Sequence, residues 1–363
     1  MSPLRVVVAG AGANIFSAHR PGLEAIGAEV VAVQDVARER VEPVAAEFGC
    51  PIHESVGALL EEPADLAVIL APHPYHAEIA VAALEAGKHA LCEKPIAVEV
   101  AEADRMLEAA DRAGRVLAVA FQQRTRPEVK EARRLIADGF LGRLQRADVV
   151  SSWPRRRTYF DAAPWRGSWR GEGGGVLINQ GQHELDLLCH LAGSPARLTG
   201  WTRTRLHPIE GEDSAVAILE WADGALGSIH VSSIEVDLAQ RLELTGTAGR
   251  IRLLPGKLEL DTNGVDFLDF VGSDGPPFGA VPAGESRVIT GGGGGHVELY
   301  RDLAEALASG RAPISPGRQA VPALELANAI VLSSRVGSAV ELPLDRAGYS
   351  DLLGSLRGAA ART

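Results

Sequence analysis

The first 120 residues alternate between short apolar runs and longer amphipathic segments. The apolar runs lie at 4–9, 30–33, 66–71, 89–92 and 116–120, and helical patterns such as those at 77–86 and 98–113 separate them. Strands that are apolar on both faces are typical of a parallel sheet with helices on both sides. Because the crossovers of such sheets are right-handed, the pattern predicts a doubly wound α/β domain.

After about Gln122 the pattern changes to consecutive strand-like runs joined by short turns. These runs lie at 146–152, 215–221, 225–232, 240–245, 249–253 and 257–261. Strands on short connections pair antiparallel, and helical patterns occur at 126–139, 175–191, 296–309 and 320–336. We therefore predict two domains, at 1–122 and 123–363, the second being α+β with a mostly antiparallel sheet. The glycine- and proline-rich segment 272–295 is interpreted as a mobile loop, either a surface connection, which we favour, or a lid.

Composition narrows the possible partners. A chain of 363 residues with 46% hydrophobic and 23% charged residues has an ordinary globular composition. Its net charge of −11 lacks the basic footprint of nucleic-acid binders. The three cysteines, Cys50, Cys92 and Cys189, are far apart, which favours neither disulfides nor zinc. With no signal peptide or membrane-spanning run, we expect a cytoplasmic protein without nucleic-acid or membrane partners.

A glycine loop follows the first apolar run. Gly10 permits a tight turn, and Gly12 lets the backbone approach a pyrophosphate at a helix N-terminus. Ile15 stands where the third glycine of the dinucleotide fingerprint would be, which can shift the first helix without removing phosphate binding. Asp35, after the second run, can accept hydrogen bonds from the adenosine ribose and repel a 2′-phosphate. This favours NAD, although Arg38 keeps NADP open.

Polar residues also follow later strands of the predicted parallel sheet. In the segment 72–76, two prolines fix an irregular turn that could border the cofactor, and a structural role at the start of a helix is favoured for His76. Lys94 follows the run 89–92, at the sheet edge where ligands bind. A lysine in a semi-enclosed site can share a proton with a substrate hydroxyl. The rigid Pro95 favours this role over that of a solvated lysine, with Glu93 as its expected partner.

A second polar group lies in the predicted helix 175–191. Asn179, His183, Asp186 and His190 stand at positions i, i+4, i+7 and i+11, on one face. His183 is the natural proton acceptor, because imidazole titrates near neutral pH. A metal site is disfavoured because no cysteine or carboxylate cluster supports it, and His190 is interpreted as a core or capping residue.

These motifs together resemble the Gfo/Idh/MocA oxidoreductases over nearly the whole chain. The resemblance rests on His19 after the glycine loop, on Glu93-Lys94-Pro95, on 165–167, and on the glycine-rich segment 173–186. It implies an N-terminal Rossmann domain, an open-faced C-terminal sheet with helices on one side, and substrate and nicotinamide between them. It also implies that Lys94 and His183 are catalytic, and that the chain forms homodimers or homotetramers through the open face.

Asn179 departs from the family pattern, since many members have aspartate there. Asparagine cannot take up a proton or stabilise an imidazolium by full charge. The departure predicts a less basic His183 and a larger share of proton transfer for Lys94.

The candidate site residues fall into two groups. The candidate cofactor contacts are Gly10, Gly12, Asn14, Ile15, Asp35, Arg38, Ala71, Pro72, His73, His76, Glu93, Lys94, Gln122, Trp165 and Arg166. The candidate substrate contacts are Lys94, Arg124, Trp153, Tyr159, Asn179 and His183. Arginines interleaved with aromatics suit sugar rings and anionic groups, although a surface or oligomer interface is the favoured interpretation of that segment.

The leading functional hypothesis is an NAD-dependent dehydrogenase that oxidises a ring hydroxyl of a sugar, a sugar derivative or a cyclitol. Its alternatives are NAD(P)H-dependent reduction of a keto-sugar, redox-assisted glycoside cleavage, and a dinucleotide-sensing regulator without catalysis. The presence of both Lys94 and His183 argues against the regulator.

Overall fold

The computed structural model describes residues 3–163, 165–236 and 240–360. Its N-terminal half contains a wholly parallel sheet, made of β1 Arg5–Ala9, β2 Glu29–Gln34, β3 Ile52–His53, β4 Leu66–Ile69, β5 His89–Cys92 and β6 Leu117–Val119. The strand order is β3-β2-β1-β4-β5-β6. The order reverses between β1 and β4, so a crevice opens at the carboxyl ends of these strands. This confirms the predicted doubly wound domain.

Helices cover both faces of this sheet, so its central strands are buried. All four residues of β4, for example, are buried. The helices are α1 Phe16–Ala25, α2 Arg38–Phe48, α3 Val56–Glu61, α4 His76–Glu85 and α5 Val100–Ala113. Two 3₁₀ turns, His73–Tyr75 and Gln122–Thr125, follow β4 and β6. Both turns therefore lie at the edge where the crevice opens.

The second sheet is mostly antiparallel, as predicted, but contains one parallel pair and is therefore mixed. Its strands are β7 Leu144–Ser152, β8 Arg197–Arg203, β9 Ser214–Glu220, β10 Leu226–Ser232, β11 Arg241–Gly246, β12 Gly249–Leu254, β13 Lys257–Asn263, β14 Ala283–Thr290 and β15 Val340–Glu341. Their order is β14-β13-β12-β11-β7-β10-β9-β8-β15. One pair in the middle, β7 and β10, is parallel, which consecutive short turns do not predict.

The remaining helices are α6 Pro127–Ala137, α7 Arg157–Asp161, α8 Gln182–Ala192, α9 Phe267–Gly272, α10 His296–Ser309, α11 Gly317–Val336 and α12 Arg346–Ala360. Helices α8 and α11 pack together and against one face of the second sheet. The opposite face carries exposed apolar side chains on three neighbouring strands: Trp201, Ile218 and Leu226. The sheet is therefore open on that side.

Helix α10 returns to the N-terminal half and packs against α1. Tyr300 of α10 is fully buried, and its hydroxyl lies 2.9 Å from Nδ1 of His19. The first domain is thus completed by residues from near the C-terminus, and the boundary at residue 122 stays a prediction. In the described part of the chain, no helix has both the length and the apolar character needed to cross a membrane.

Two expectations about the second domain are wrong. The segment 272–295, predicted as a mobile loop, contains strand β14, whose side chains are almost all exposed. An edge strand of this kind has no apolar alternation by which a sequence could reveal it. The predicted helix 175–191 begins only at Gln182. Backbone N–H groups of Gly175 and Leu177 instead bond to the buried carboxylate of Glu212, so the residues before α8 form turns.

Candidate active site

The glycine loop lies between β1 and α1. Gly10 adopts φ +81°, and a Cβ there would lie 2.5 Å from the backbone nitrogen of Ala71, so both the turn and the close approach require glycine. A Cβ on Gly12 would lie 3.0 Å from the Asp35 carboxylate. Asn14 and Ile15 are exposed at the start of α1. The glycine loop lines a cavity at the N-terminus of α1, together with Asn14, Ser17 and Arg40. A helix N-terminus of this kind fits a dinucleotide pyrophosphate.

Asp35 closes this loop at the end of β2. Its Oδ2 accepts a hydrogen bond of 2.9 Å from the Gly12 nitrogen, and its Oδ1 accepts one of 2.8 Å from the Ala37 nitrogen. Arg38 is exposed and pairs with Glu42 one turn along its own helix. Among the described residues, no arginine forms an ion pair with this carboxylate, an arrangement that suits ribose hydroxyls better than a 2′-phosphate.

The turn after β4 borders the crevice and reaches the second domain. Ala71 is partly buried and Pro72 is exposed, while Nδ1 of the buried His73 lies 3.2 Å from the backbone oxygen of Glu172. His76 is fully buried, and its two ring nitrogens lie 2.8 and 2.7 Å from the carbonyls of Pro95 and Ala71. The imidazole can donate to either carbonyl, depending on which nitrogen carries its proton. Because both of its edges face backbone in this way, His76 braces the turn, and the expectation of cofactor contact for it is not retained.

Lys94 is presented by a turn with a cis peptide bond to Pro95. Glu93 is buried; its Oε2 accepts the Lys94 backbone N–H at 3.0 Å, and its Oε1 lies 2.8 Å from His19 Nε2 and 3.6 Å from His296 Nε2. Burial opposes ionisation, but these two imidazoles hold the pKa of Glu93 well below its usual range. Glu93 therefore fixes the turn from beneath. Its contact with the Lys94 backbone and its charge, which raises the pKa of Lys94 against the effect of burial, agree with the expected partnership. Its contact with the cofactor stays a prediction.

The ligand atoms of His19, Glu93 and His296 lie within 4.8 Å of one another, close enough to hold a metal ion. Hydrogen bonds already engage both ring nitrogens of His19, to Tyr300 and to Glu93. We interpret the cluster as a hydrogen-bond network under Lys94.

The Lys94 ammonium reaches the start of α8, the helix that carries the His183 imidazole. Lys94 Nζ donates a 3.0 Å hydrogen bond to the backbone oxygen of Asn179, just before α8, while His183 lies on the first turn of that helix. Burial lowers the pKa of Lys94. Burial, together with the charge of Lys94, lowers the pKa of His183 to about 3, so its imidazole is neutral at physiological pH. Within the described residues, His183 Nδ1 is buried and has no hydrogen-bond partner.

Asn179 does not stand above His183 on a helix, because the helix starts after it. Its side-chain amide instead contacts Oε1 of Glu172 and donates a 3.1 Å hydrogen bond to the Tyr159 hydroxyl. The proposed helical stripe is thus wrong in its first member. A buried carboxyl that the sequence analysis missed, Glu172, stands beside Asn179.

Arg124 is not available to substrate. Its side chain is 1% exposed and forms two hydrogen bonds of 2.9 and 2.6 Å with Asp186, and others with Gln319. The prediction of a substrate contact is corrected to a buried ion pair that joins the turn after β6 to α8. Because its carboxylate is paired with Arg124, Asp186 is not available as a metal ligand with His183 and His190. His190 itself is partly buried.

The aromatic segment before Glu172 contacts Asn179 and the turn after β4. The guanidinium of Arg166 stacks on the Tyr159 ring, 4.2 Å from its centroid, and donates to the Tyr159 carbonyl. Trp165 is exposed, with its ring 6.2 Å from that of His73. Trp153 is partly buried against the core. Tyr159 therefore connects the arginine–aromatic segment directly to Asn179.

Gln122, after β6, has a side chain that fits a bound nicotinamide. Its side-chain Oε1 is buried and finds no hydrogen-bond partner in the described residues. A buried oxygen without a partner is costly unless a ligand or water satisfies it. Its place at the carboxyl end of β6 suits an amide N–H donor such as that of a nicotinamide.

Sequence reasoning missed Glu172 and the network of His296 and Tyr300 beneath Lys94. Glu172 directly precedes three glycines, and nothing in that sequence position indicates its contact with Asn179. His296 and Tyr300 are distant in sequence and reach the site only because α10 packs on α1.

Comparison with known proteins agrees with this geometry. Residues 4–121 match the family model described as an oxidoreductase family with an NAD-binding Rossmann fold, and residues 129–252 match the GFO/IDH/MocA C-terminal domain. The chain is similar to D-apiose dehydrogenase of Paraburkholderia graminis, with 28% identity over 87% of this chain and 84% of that protein. It is 30% identical to trans-1,2-dihydrobenzene-1,2-diol dehydrogenase of Mus musculus, over 71% of this chain and 77% of that protein.

Among solved structures, the WlbA dehydrogenase from Bordetella pertussis, in complex with NADH and UDP-GlcNAcA, superposes with a TM-score of 0.80 at 29% identity. The match covers 94% of this chain and 100% of that one. Together with the two-domain match and the Lys94 turn facing the glycine-rich segment, these findings show that the chain belongs to the Gfo/Idh/MocA family of oxidoreductases and carries its NAD-binding Rossmann domain.

Proposed function

We propose that this protein is an NAD-dependent dehydrogenase that transfers a hydride between a ring secondary alcohol of a sugar, sugar derivative or cyclitol and nicotinamide. The observation that carries the proposal is that Lys94 of the first domain reaches the backbone of Asn179, just before the helix whose first turn holds His183. The dehydrogenase relatives support it, as does the WlbA structure, which holds NADH together with a sugar nucleotide.

The residues of this chain divide the work between binding and proton transfer. Gly10, Gly12 and Asp35 would hold the pyrophosphate and ribose of NAD, with Gln122 available to its carboxamide. When bound, the nicotinamide supplies the hydride acceptor. The alcohol loses its proton as the hydride leaves carbon, and Lys94, whose pKa burial lowers, is positioned to take that proton at Nζ. Because His183 is neutral, it serves as a hydrogen-bond partner of the same oxygen and not as a charged acid.

The direct test is a dehydrogenase screen over sugars, inositols and sugar acids with NAD and NADP. The proposal predicts the appearance of NADH with at least one polyol. Binding of NAD without turnover across the whole panel would favour a regulator instead.

Asp35 should determine the choice between the two cofactors. Replacing Asp35 with serine removes the carboxylate that faces the ribose, so we expect weaker NAD binding, by about tenfold, which corresponds to about 1.4 kcal/mol. NADP binding should stay equal or improve, because the repulsion of a 2′-phosphate is lost. Titration of each cofactor measures both effects. The control is Asp65→Ser, which removes a carboxylate that accepts a hydrogen bond from the backbone nitrogen of Arg5, at the amino end of the sheet. Tighter binding of NADP than of NAD by the unmodified protein would refute the assignment.

We also propose that the chain forms homo-oligomers through the open face of the second sheet. Trp201, Ile218 and Leu226 lie 50%, 50% and 55% exposed on adjacent strands and share that face. Contiguous exposed apolar groups mark association surfaces. Trp201→Glu should therefore produce monomers in sedimentation or light scattering, whereas Val36→Glu, at an equally apolar but isolated exposed site, should not. A monomeric unmodified protein would contradict the proposal.

A further inference from the structure

We propose that Glu172 is a positioning residue for the proton transfer at Lys94: its carboxylate holds Asn179 in place and stabilises the ammonium that forms when Lys94 takes the substrate proton. The inference rests on the proposed dehydrogenase function and adds a residue to it.

The geometry places Glu172 between the two halves of the site. Its carboxyl contacts the Asn179 amide through Oε1 and the Gly167 backbone N–H through Oε2. The backbone oxygen of Asn179 in turn receives the Lys94 ammonium. Fixing the side chain of Asn179 therefore fixes the carbonyl that orients Nζ. Glu172 also receives His73 on its backbone oxygen, so it contacts both domains.

The electrostatics give the carboxylate a second effect. Glu172 is only 1% exposed, and in the described part of the chain no lysine or arginine forms an ion pair with it. Burial lowers the pKa of Lys94, and the charges of Glu93, Glu172 and Glu184, in that order, raise it again. An anion at this point stabilises Lys94 most when Lys94 is positively charged. Lys94 reaches that state after the alcohol O–H bond breaks and the proton moves to Nζ.

Several other charged or titratable groups lie near Glu172. Arg166 and Lys94 lower its pKa, Tyr159 contacts the other side of Asn179, and His73 meets only its backbone oxygen. Burial outweighs these effects and raises the pKa of Glu172 to about 7. The carboxylate form thus appears as pH rises through about 7, a range in which His183 stays neutral.

The test is the pH dependence of kcat in the oxidation direction for Glu172→Gln. Glutamine keeps the size of the side chain and can still accept from Gly167. We expect kcat to fall about tenfold with a smaller change in KM. The rise of kcat centred near pH 7 should disappear, and the rise due to Lys94 should move to lower pH, because one of the three carboxylates that stabilise its ammonium is lost while Glu93 and Glu184 stay.

Two further variants separate this role from a merely structural one. Glu212→Gln alters another buried carboxyl, in the segment between β8 and β9, which accepts hydrogen bonds from the backbone of Gly175 and Leu177 and forms none with Asn179. The rise of kcat near pH 7 should persist in this variant. The double variant Glu172→Gln with Asn179→Asp exchanges carboxylate and amide across the same contact and should restore an ionisation and part of kcat. If Glu172→Gln keeps the pH profile of the unmodified enzyme, the proposal is overturned while the dehydrogenase function stands. If no polyol is oxidised at all, the proposed function fails first.

Discussion

Replacing Lys94 with methionine should reduce kcat/KM by about 10²- to 10⁴-fold. Methionine keeps the length of the apolar stem but has no group that can take a proton from the substrate alcohol. His183 replaces Lys94 poorly as a base, because burial lowers the pKa of its imidazole. The effect should fall mainly on kcat, since the loss concerns an interaction made in the transition state. Steady-state kinetics with the polyol found by screening measures it.

The matched control for Lys94 is Lys130→Met, at an exposed lysine of α6, which should retain the activity of the unmodified enzyme. NAD binding and thermal unfolding should change little in either variant. Full turnover by Lys94→Met would remove this lysine from the mechanism.

Replacing Arg124 with methionine should lower the free energy of unfolding by about 3–5 kcal/mol. The change leaves the Asp186 carboxylate, 1% exposed, without the cation that compensates its burial. Burial already raises the pKa of Asp186 despite the arginine, so the carboxylate depends on its partner. Urea unfolding followed by fluorescence and by activity measures the loss.

Two controls define this effect. Removing both partners, in Arg124→Met with Asp186→Leu, should cost less than Arg124→Met alone, because no unpaired charge stays buried. Arg197→Met, which breaks the exposed pair with Glu220, should change stability far less, since solvent screens that pair. If Arg124→Met unfolds like the unmodified protein and only raises KM, the arginine binds substrate after all.

The parallel domain could be predicted from the sequence because the burial of each strand is recorded in the residues of that strand alone. Strands such as β4 are buried on both faces, and an uninterrupted apolar run is a direct record of that environment. The turn at Lys94 could be located for the same reason, since it follows such a run. Strand β5 begins and ends where the apolar run predicts it, at His89 and Cys92.

Other features depend on contacts between distant residues, which one sequence does not record. The spacing of Asn179 and His183 fits a helix, but the buried Glu212 binds the backbone before α8 and holds it in turns. Arg124 looks like a ligand-binding arginine until the packing of α8 brings Asp186 against it. Glu172 becomes recognisable only through its contact with Asn179.

The most direct test of the whole account is a crystal structure of the protein with NADH and the polyol identified by screening. The account predicts that one hydroxyl oxygen of the polyol lies within hydrogen-bonding distance of both Lys94 Nζ and the His183 ring, on the carbon nearest the nicotinamide. A bound polyol whose reacting oxygen meets neither group, or meets only residues of one domain, would contradict it.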